Sequence, residues 1–162
     1  MSYEHFEEKE AVKIAALIET NGLKFYNILG GRVTDPEVKT IISNLARDEK
    51  QHLQVIEKMF FPRAGFTEQI TDEEVAMEAN IESSGQADIF TKHVNMEEVI
   101  NALGTPVKAL ELALEAEKYS VTFFTELSEK AETQESRRLY EELADEEKRH
   151  VAKVEGIIAR IS

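Results

Sequence analysis

The second half of this 162-residue chain repeats the first half at a constant distance of 98 positions. The repeat needs no gap across two long stretches and the connection between them, which chance similarity would rarely preserve. A helical hairpin that occurs twice predicts a four-helix bundle with pseudo-two-fold symmetry, because each copy needs the other to bury its apolar face. The matched pairs are Glu19 and Glu117, Phe25 and Phe123, Leu29 and Leu127, Leu45 and Leu143, Ala46 and Ala144, Glu49 and Glu147, Lys50 and Lys148, His52 and His150, and Glu57 and Glu155.

Proline, glycine and capping residues divide the chain into four long helical stretches. Gly30-Gly31 is typical of a helix end, whereas Asp35-Pro36 and Thr105-Pro106 are typical of helix starts, because Asp and Thr cap a helix and Pro suits its first turn. A fourth helix is predicted to begin near Thr133. We predict one all-α domain over residues 1–162, with hairpins at about 2–60 and 105–160 and a long connection between helices 2 and 3.

The connection, at about residues 61–104, is rich in turn-forming and polar residues and carries no chemistry that its pattern reveals. We expect it to carry the chain across the bundle so that the second hairpin packs beside the first. Residues 72–77 are predicted to form a short helix, and Asn95 is predicted to cap another. The apolar cluster Met59-Phe60-Phe61 predicts either a cap on the core or a contact in a homodimer.

Composition excludes several classes of function. The net charge of -13 disfavours nucleic acid and anionic lipid as partners. The chain has no Cys, which excludes disulfides, thiolate metal sites and a cysteine nucleophile. No apolar run is long enough to span a membrane, and the N-terminus has no secretion signal, so we expect a cytoplasmic protein.

Each of the four helical stretches carries an apolar stripe with one carboxylate near its middle, and two stripes add a histidine one turn later. Burying one unpaired carboxylate is costly, and four that converge in a bundle core would also repel one another. The pattern therefore predicts positive charge in the core. The residues are Glu19, Glu49, Glu117, Glu147, His52 and His150.

Two divalent cations match this set of side chains. Four glutamates supply a charge of −4, two cations supply +4, and two neutral imidazoles complete the coordination. Oxygen and imidazole ligands suit iron or manganese. The same constellation, one Glu from each of two helices and Glu-x-x-His from each of the other two, occurs in ferritin-like dimetal carboxylate bundles. We predict that all six residues bind two Fe, with Mn as an alternative.

Short motifs around the predicted ligands make the chain resemble the rubrerythrin-like branch of the ferritin-like superfamily. The resemblance covers the four long stretches and not the connection. The resemblance implies a ferritin-like fold and a di-iron site that reacts with H₂O₂ or O₂. It therefore also implies that the protein is an oxidoreductase that acts in oxidative stress. The motifs are Glu19 with Tyr26, Asp48-Glu49-Lys50-Gln51-His52, Glu115-Ala116-Glu117-Lys118-Tyr119, and Glu146-Glu147-Lys148-Arg149-His150.

The chain departs from the rubrerythrin pattern in two respects. Rubrerythrins carry a rubredoxin-like domain with four Cys that delivers electrons, so this chain requires an external donor such as a rubredoxin-type protein. Rubrerythrins also carry a further Glu three residues after the ligand of the third helix, where this chain has Ser120. That carboxylate is associated with peroxidase behaviour, and its absence weighs against efficient peroxide reduction. Glu115 does not replace it, because it lies on another helix face.

Other polar residues near the predicted ligands have two interpretations. Tyr26 is the candidate catalytic residue, which hydrogen-bonds a ligand or transfers a proton or electron; the alternative is a core aromatic. We interpret Asp48, Glu146 and Glu115 as residues of a solvated face, and Tyr119 as packing or surface; the alternative for all four is a contact that supports a metal ligand. We expect Asn21 to lie off the site and His5 and His93 to be exposed.

Three functions remain open from the sequence alone. The first is a redox enzyme that reacts with H₂O₂ or O₂. The second is an iron-binding ferroxidase or metal-buffering protein without peroxidase turnover, and the third is a non-catalytic helical bundle.

Overall fold

The computed structural model describes residues 2–64 and 90–162 of the chain. Within these residues it contains helices and no β-strand, which confirms the all-α prediction. The helix predicted at residues 72–77 lies outside the described residues. The helices are α1 (Ser2–Gly30), α2 (Pro36–Met59), α3 (Phe61–Ala64), α4 (Met96–Leu103), α5 (Pro106–Lys130) and α6 (Gln134–Ile161).

Side-chain caps define where the helices begin, at the positions that the sequence predicts. Asp35 accepts hydrogen bonds from the backbone of the first turn of α2, and Thr105, Thr133 and Asn95 do the same for α5, α6 and α4. These caps satisfy backbone N–H groups that have no partner within the helix. Helix α1 ends at Gly30, and α2 ends at Met59 before the short helix α3.

The two hairpins, α1–α2 and α5–α6, pack side by side with α2 antiparallel to α6. At one end Arg160 donates to the Asp35 carboxylate at 2.7 Å, and at the other end the rings of Phe60 and Tyr140 stack with centroids 4.5 Å apart. Helices α2 and α5 therefore point the same way, so the chain must return along the whole bundle between them. This geometry is the reason for the long connection, and it is that of a ferritin-like bundle with one crossover.

The core consists of two apolar clusters, one toward each end of the bundle. The first contains the end of α1, the start of α2, the start of α5 and the end of α6; the second contains the opposite ends. Phe60 and Phe61 are 1% and 0% exposed in the second cluster, so they belong to the core. The middle of every long helix, which lies between the two clusters, holds one of the four glutamates.

The described end of the connection is attached to α1. The Asn21 side-chain amide donates to the carbonyl oxygens of Phe90, at 2.9 Å, and Lys92, at 2.7 Å. Arg32 donates to Asn101 of α4 at 2.7 Å. Among the described residues, no helix has the length and apolarity that crossing a membrane requires.

Replacing Asn21 with Ala should lower the free energy of unfolding by about 2 kcal/mol, because two buried or part-buried carbonyl groups would lose their donor. The matched control is Asn101→Ala, which removes an exposed hydrogen bond and should change the free energy of unfolding by less than about 0.5 kcal/mol. Urea denaturation followed by circular dichroism measures both. Equal effects of the two substitutions would contradict this role for Asn21.

Candidate metal centre

All six predicted ligands converge in the middle of the bundle, and none is more than 5% exposed. They form two overlapping groups, each with one ligand atom per residue and all of these atoms within 4.8 Å of one another. Glu49 and Glu147 belong to both groups, which places their carboxylates between two cation positions. The first group is Glu19, Glu49, His52 and Glu147; the second is Glu49, Glu117, Glu147 and His150.

Both imidazoles direct Nδ1 toward the carboxylates. His52 Nδ1 lies 3.1 Å from an oxygen of Glu147 and 3.4 Å from one of Glu19. His150 Nδ1 lies 3.0 Å from an oxygen of Glu49 and 3.5 Å from one of Glu117. The two rings stack with centroids 5.5 Å apart. Each of the two ligand groups therefore combines one imidazole nitrogen with carboxylates from three helices.

The other nitrogen of each imidazole, Nε2, faces an acid on the opposite helix. His52 Nε2 lies 3.1 Å from Glu146, and His150 Nε2 lies 3.3 Å from Asp48. Acids in this position fix the orientation of a ligating histidine. The interpretation of these acids as solvated-face residues is wrong for Asp48, whose side chain is 19% exposed, and incomplete for Glu146, at 45%. The repeat could have indicated this role, because Asp48 and Glu146 also lie 98 positions apart in the sequence.

Tyr26 makes the two halves of the site different. Its hydroxyl donates to Glu117 at 2.6 Å, and the residue is 1% exposed. The equivalent position in the second repeat is Phe124, which has no hydroxyl. Burial raises the pKa of Tyr26 well above its usual value, and the charges of Glu117 and Glu49 raise it further. The phenol therefore keeps its proton and holds it against one carboxylate.

The positions one turn after the ligands of α1 and α5 also differ. At Gly22 an added Cβ would lie 3.2 Å from the Cδ atom of Glu49, so the glycine leaves the space that this carboxylate occupies. The equivalent residue, Ser120, donates its hydroxyl to the carbonyl of Ala116 on its own helix at 3.0 Å. Neither position supplies a seventh ligand.

The glutamates do not all carry charge in the metal-free chain. Burial, and then the charge of Glu147, raises the pKa values of Glu19, Glu49 and Glu117. Burial acts in the same direction on Glu147, but its polar contacts with Glu117 and both histidines outweigh burial and lower its pKa.

Both histidines are held in the charged form. Burial favours the neutral form of His52, but Glu147 outweighs this effect and raises the pKa to about 9. The pKa of His150 is raised for the corresponding reason, with Glu117, Glu147 and Glu49 outweighing burial. In the metal-free chain, protons therefore neutralise the cluster that cations would otherwise neutralise.

The cluster fits a pair of divalent cations. Both carboxylate oxygens of Glu19, one of Glu147 and the Nδ1 atom of His150 are buried and make no hydrogen bond. Buried polar atoms without partners are rare in folded proteins and usually indicate a ligand, ion or water at that position. Carboxylate oxygen and imidazole nitrogen are the donors that iron and manganese prefer.

The remaining polar residues near the ligands lie off the site. Tyr119 is 36% exposed, and Glu115 forms an exposed ion pair with Lys118 at 3.6 Å, as predicted for a solvated face. Asn21 holds the connection rather than the cluster. His93, predicted to be exposed, is half-buried. The side chain of His5 lies outside the described residues.

Comparison with known proteins gives one family and one fold. The sequence model of the rubrerythrin family matches residues 10–102 and 108–161. No curated protein matches the chain. A solved structure of a hypothetical protein from Pyrococcus furiosus is similar, with a TM-score of 0.67, 20% sequence identity, and coverage of 94% of this chain and 88% of that chain. At that identity the likeness shows the fold alone.

Gly22→Ala should weaken metal binding by about 10-fold, because its methyl group would displace the Glu49 carboxylate. The matched control is Gly156→Ala, where an added Cβ has no neighbour within 4 Å. Gly156→Ala should leave metal affinity unchanged and stabilise the helix by up to about 1 kcal/mol. Competition with a chelator measures the affinity, and equal affinities of the two variants would contradict the assigned role of Gly22.

The metal-free protein should lose stability as the pH rises from about 5 to about 9. The folded state holds protons on Glu19, Glu49 and Glu117 that the unfolded state releases above pH 4.5. Stability from charged His52 is present below its unfolded pKa of 6.5 and is lost as the pH rises through about 9. The pKa of Glu147 is lowered, so this residue loses its contribution to folding stability only as the pH falls below 4.5, which is outside the range considered.

The midpoint of thermal unfolding, measured with a chelator present, tests this pH dependence. The protein saturated with metal is the control, and its midpoint should vary less over the same range because cations replace the protons. A midpoint of the metal-free protein that is constant or rises toward pH 9 would contradict the assignment of protons to the cluster.

Proposed function

The chain belongs to the rubrerythrin family, and from that premise we propose that it is a cytoplasmic di-iron protein that reduces H₂O₂ or O₂ with electrons from an external donor. The observation that carries the proposal is the pair of ligand groups that share Glu49 and Glu147. Such an arrangement would hold two cations, which would supply the electrons that reduce a small oxidant. Manganese is the alternative metal.

The four glutamates and two histidines would hold the metals. A pair of ferrous ions supplies two electrons, which is the number that reduces one H₂O₂ to two waters when two protons are added. The apolar clusters on either side exclude water, because their side chains close the bundle above and below the polar layer. These clusters would shield bound metals from water at both ends of the polar layer.

Tyr26 is the group best placed to supply a proton. Its Oη lies 2.6 Å from Glu117, and its pKa is raised, so it carries a proton at neutral pH. Glu117 is itself a predicted ligand, which brings the phenol proton within one hydrogen bond of the metals. We propose that Tyr26 donates one of the two protons along this hydrogen bond as the oxidant is reduced, that solvent supplies the other, and that Tyr26 afterwards regains its proton from solvent.

Electrons must come from outside the chain, because its sequence contains no Cys for an iron–sulfur centre of its own. We propose a rubredoxin-type protein as the donor. The acidic charge of -13 disfavours nucleic acid as a partner. We also propose that the protein forms a homodimer. Phe60 and Phe61 lie in the core, so they do not supply the contact between the two subunits.

Ser120 favours a second function. It replaces the carboxylate that the family associates with peroxidase behaviour, and its hydroxyl bonds to its own helix. A site with only six ligands fits a ferroxidase or metal-buffering protein, in which iron is oxidised once and not reduced again. Repeated turnover with an added reductant distinguishes this function from that of a peroxidase.

Mixing anaerobic ferrous protein with H₂O₂ in a stopped-flow instrument tests the proposal. We expect oxidation faster than that of free ferrous ion, and Tyr26→Phe should slow it by about 10-fold or more, since proton donors typically contribute about 10²–10⁴-fold. The matched control is Tyr140→Phe, which alters another buried tyrosine in the second apolar cluster. Oxidation no faster than that of free ferrous ion, with either H₂O₂ or O₂, would overturn the proposed redox function.

A further inference from the structure

We propose that His52, His150 and Glu146, in which Nε2 of His52 lies 3.1 Å from the carboxylate, form an outer loading site for a divalent transition-metal ion. The ion would bind there first and then pass to the inner cluster. This inference rests on the proposed function, because it supplies the metals that the inner cluster needs. We call these three residues the outer site.

The geometry brings three donors of suitable chemistry together at the seam between α2 and α6. One ligand atom from each residue of the outer site lies within 4.8 Å of the others. Ligands of one transition-metal ion at about 2.1 Å lie roughly 3 to 4 Å apart, so a small movement closes the site. Two imidazoles and one carboxylate suit Fe²⁺, Mn²⁺, Co²⁺ and Zn²⁺.

Exposure distinguishes the outer site from the inner cluster. The side chain of Glu146 is 45% exposed, whereas the four glutamates of the inner cluster are between 0% and 6% exposed. Asp48, beside His150, is 19% exposed. An ion from solvent therefore meets these two acids before it meets any inner carboxylate, and the histidines lie directly behind them.

Two cationic side chains cover this seam in the metal-free chain. Arg149 lies 3.4 Å from Glu146, and Lys153 lies 3.6 Å from Asp48. Both cations are at least 43% exposed, and exposed ion pairs of this kind contribute little stability. A divalent ion with two imidazole ligands can displace them, so they do not close the outer site.

The outer and inner sites compete for the same rings. An ion that binds a ring through Nε2 displaces the proton from that nitrogen to solvent, and the ring keeps its other proton on Nδ1. That proton then faces the carboxylate that the ring already contacts, Glu147 for His52 and Glu49 for His150. When the inner site fills through Nδ1, the proton moves to Nε2 and faces Glu146 or Asp48. The outer site therefore exists only before the inner one is full.

Removing the carboxylate of the outer site should slow loading more than it weakens the loaded inner site, because the amide oxygen of Gln can still accept the hydrogen bond that orients His52. We expect Glu146→Gln to lower the association rate of Co²⁺, followed by its absorbance in a stopped-flow instrument, by about 10-fold. The final content should remain two ions per chain. The matched control is Asp145→Asn, which removes the same charge from the adjacent, exposed residue and should leave the rate unchanged.

Three results of this experiment would overturn the outer site. Equal rates for Glu146→Gln and Asp145→Asn would show that only overall charge matters. A change confined to the dissociation rate would show that Glu146 merely orients His52. A wild-type chain that binds no Co²⁺ would overturn the proposed function as well, whereas two ions bound at equal rates would overturn the loading site alone.

A second variant tests the outer site directly. In Glu19→Gln/Glu117→Gln the inner cluster loses its two terminal carboxylates, and we expect one Co²⁺ per chain to remain bound. Adding Glu146→Gln should release it, whereas adding Asp145→Asn should not. Circular dichroism checks that the variants fold, and Glu117→Gln alone replaces the pair if they do not. Co²⁺ retained in the presence of Glu146→Gln would overturn the proposal.

Discussion

The burial of four glutamates in one layer of a helical bundle is the constraint on which the rest of this structure depends. Carboxylates in such a place must be neutralised, and the metal-free chain does so with protons: three of the four have raised pKa values, and the histidines are charged. Divalent cations would neutralise the same layer with fewer ions than the protons that do so otherwise. They would also supply partners for the buried atoms that make no hydrogen bond.

Duplication explains why the site is nearly symmetric, and a few substitutions explain why it is not fully so. The ligands, and the acids behind the histidines, recur at the same distance of 98 positions. Two pairs of equivalent positions break the symmetry: Tyr26 corresponds to Phe124, and Gly22 corresponds to Ser120. Glu117 therefore accepts from a phenol that the second repeat replaces with a phenylalanine. This difference would give two bound metals unequal surroundings.

The sequence predicted the bundle, the helix starts and the convergence of six residues, because each depends on local rules: capping, helical periodicity and a repeat. It failed where contacts between hairpins decide the outcome. The pattern of each helix taken alone predicts a surface position for Asp48 and Glu146. Only the antiparallel packing of α2 on α6 brings these acids to the histidines. The sequence also failed within the first hairpin, where the close approach of Glu49 to Gly22 depends on the distance between α1 and α2.

The metal content of the purified chain tests the central claim most directly. Elemental analysis of protein purified without a metal-binding tag should find about two iron or manganese ions per chain. Glu117→Ala, which removes the carboxylate that Tyr26 contacts, should hold fewer ions than the wild-type chain. No metal in the wild-type chain after incubation with Fe²⁺ or Mn²⁺, and no difference between it and the variant, would contradict a dimetal site in this bundle.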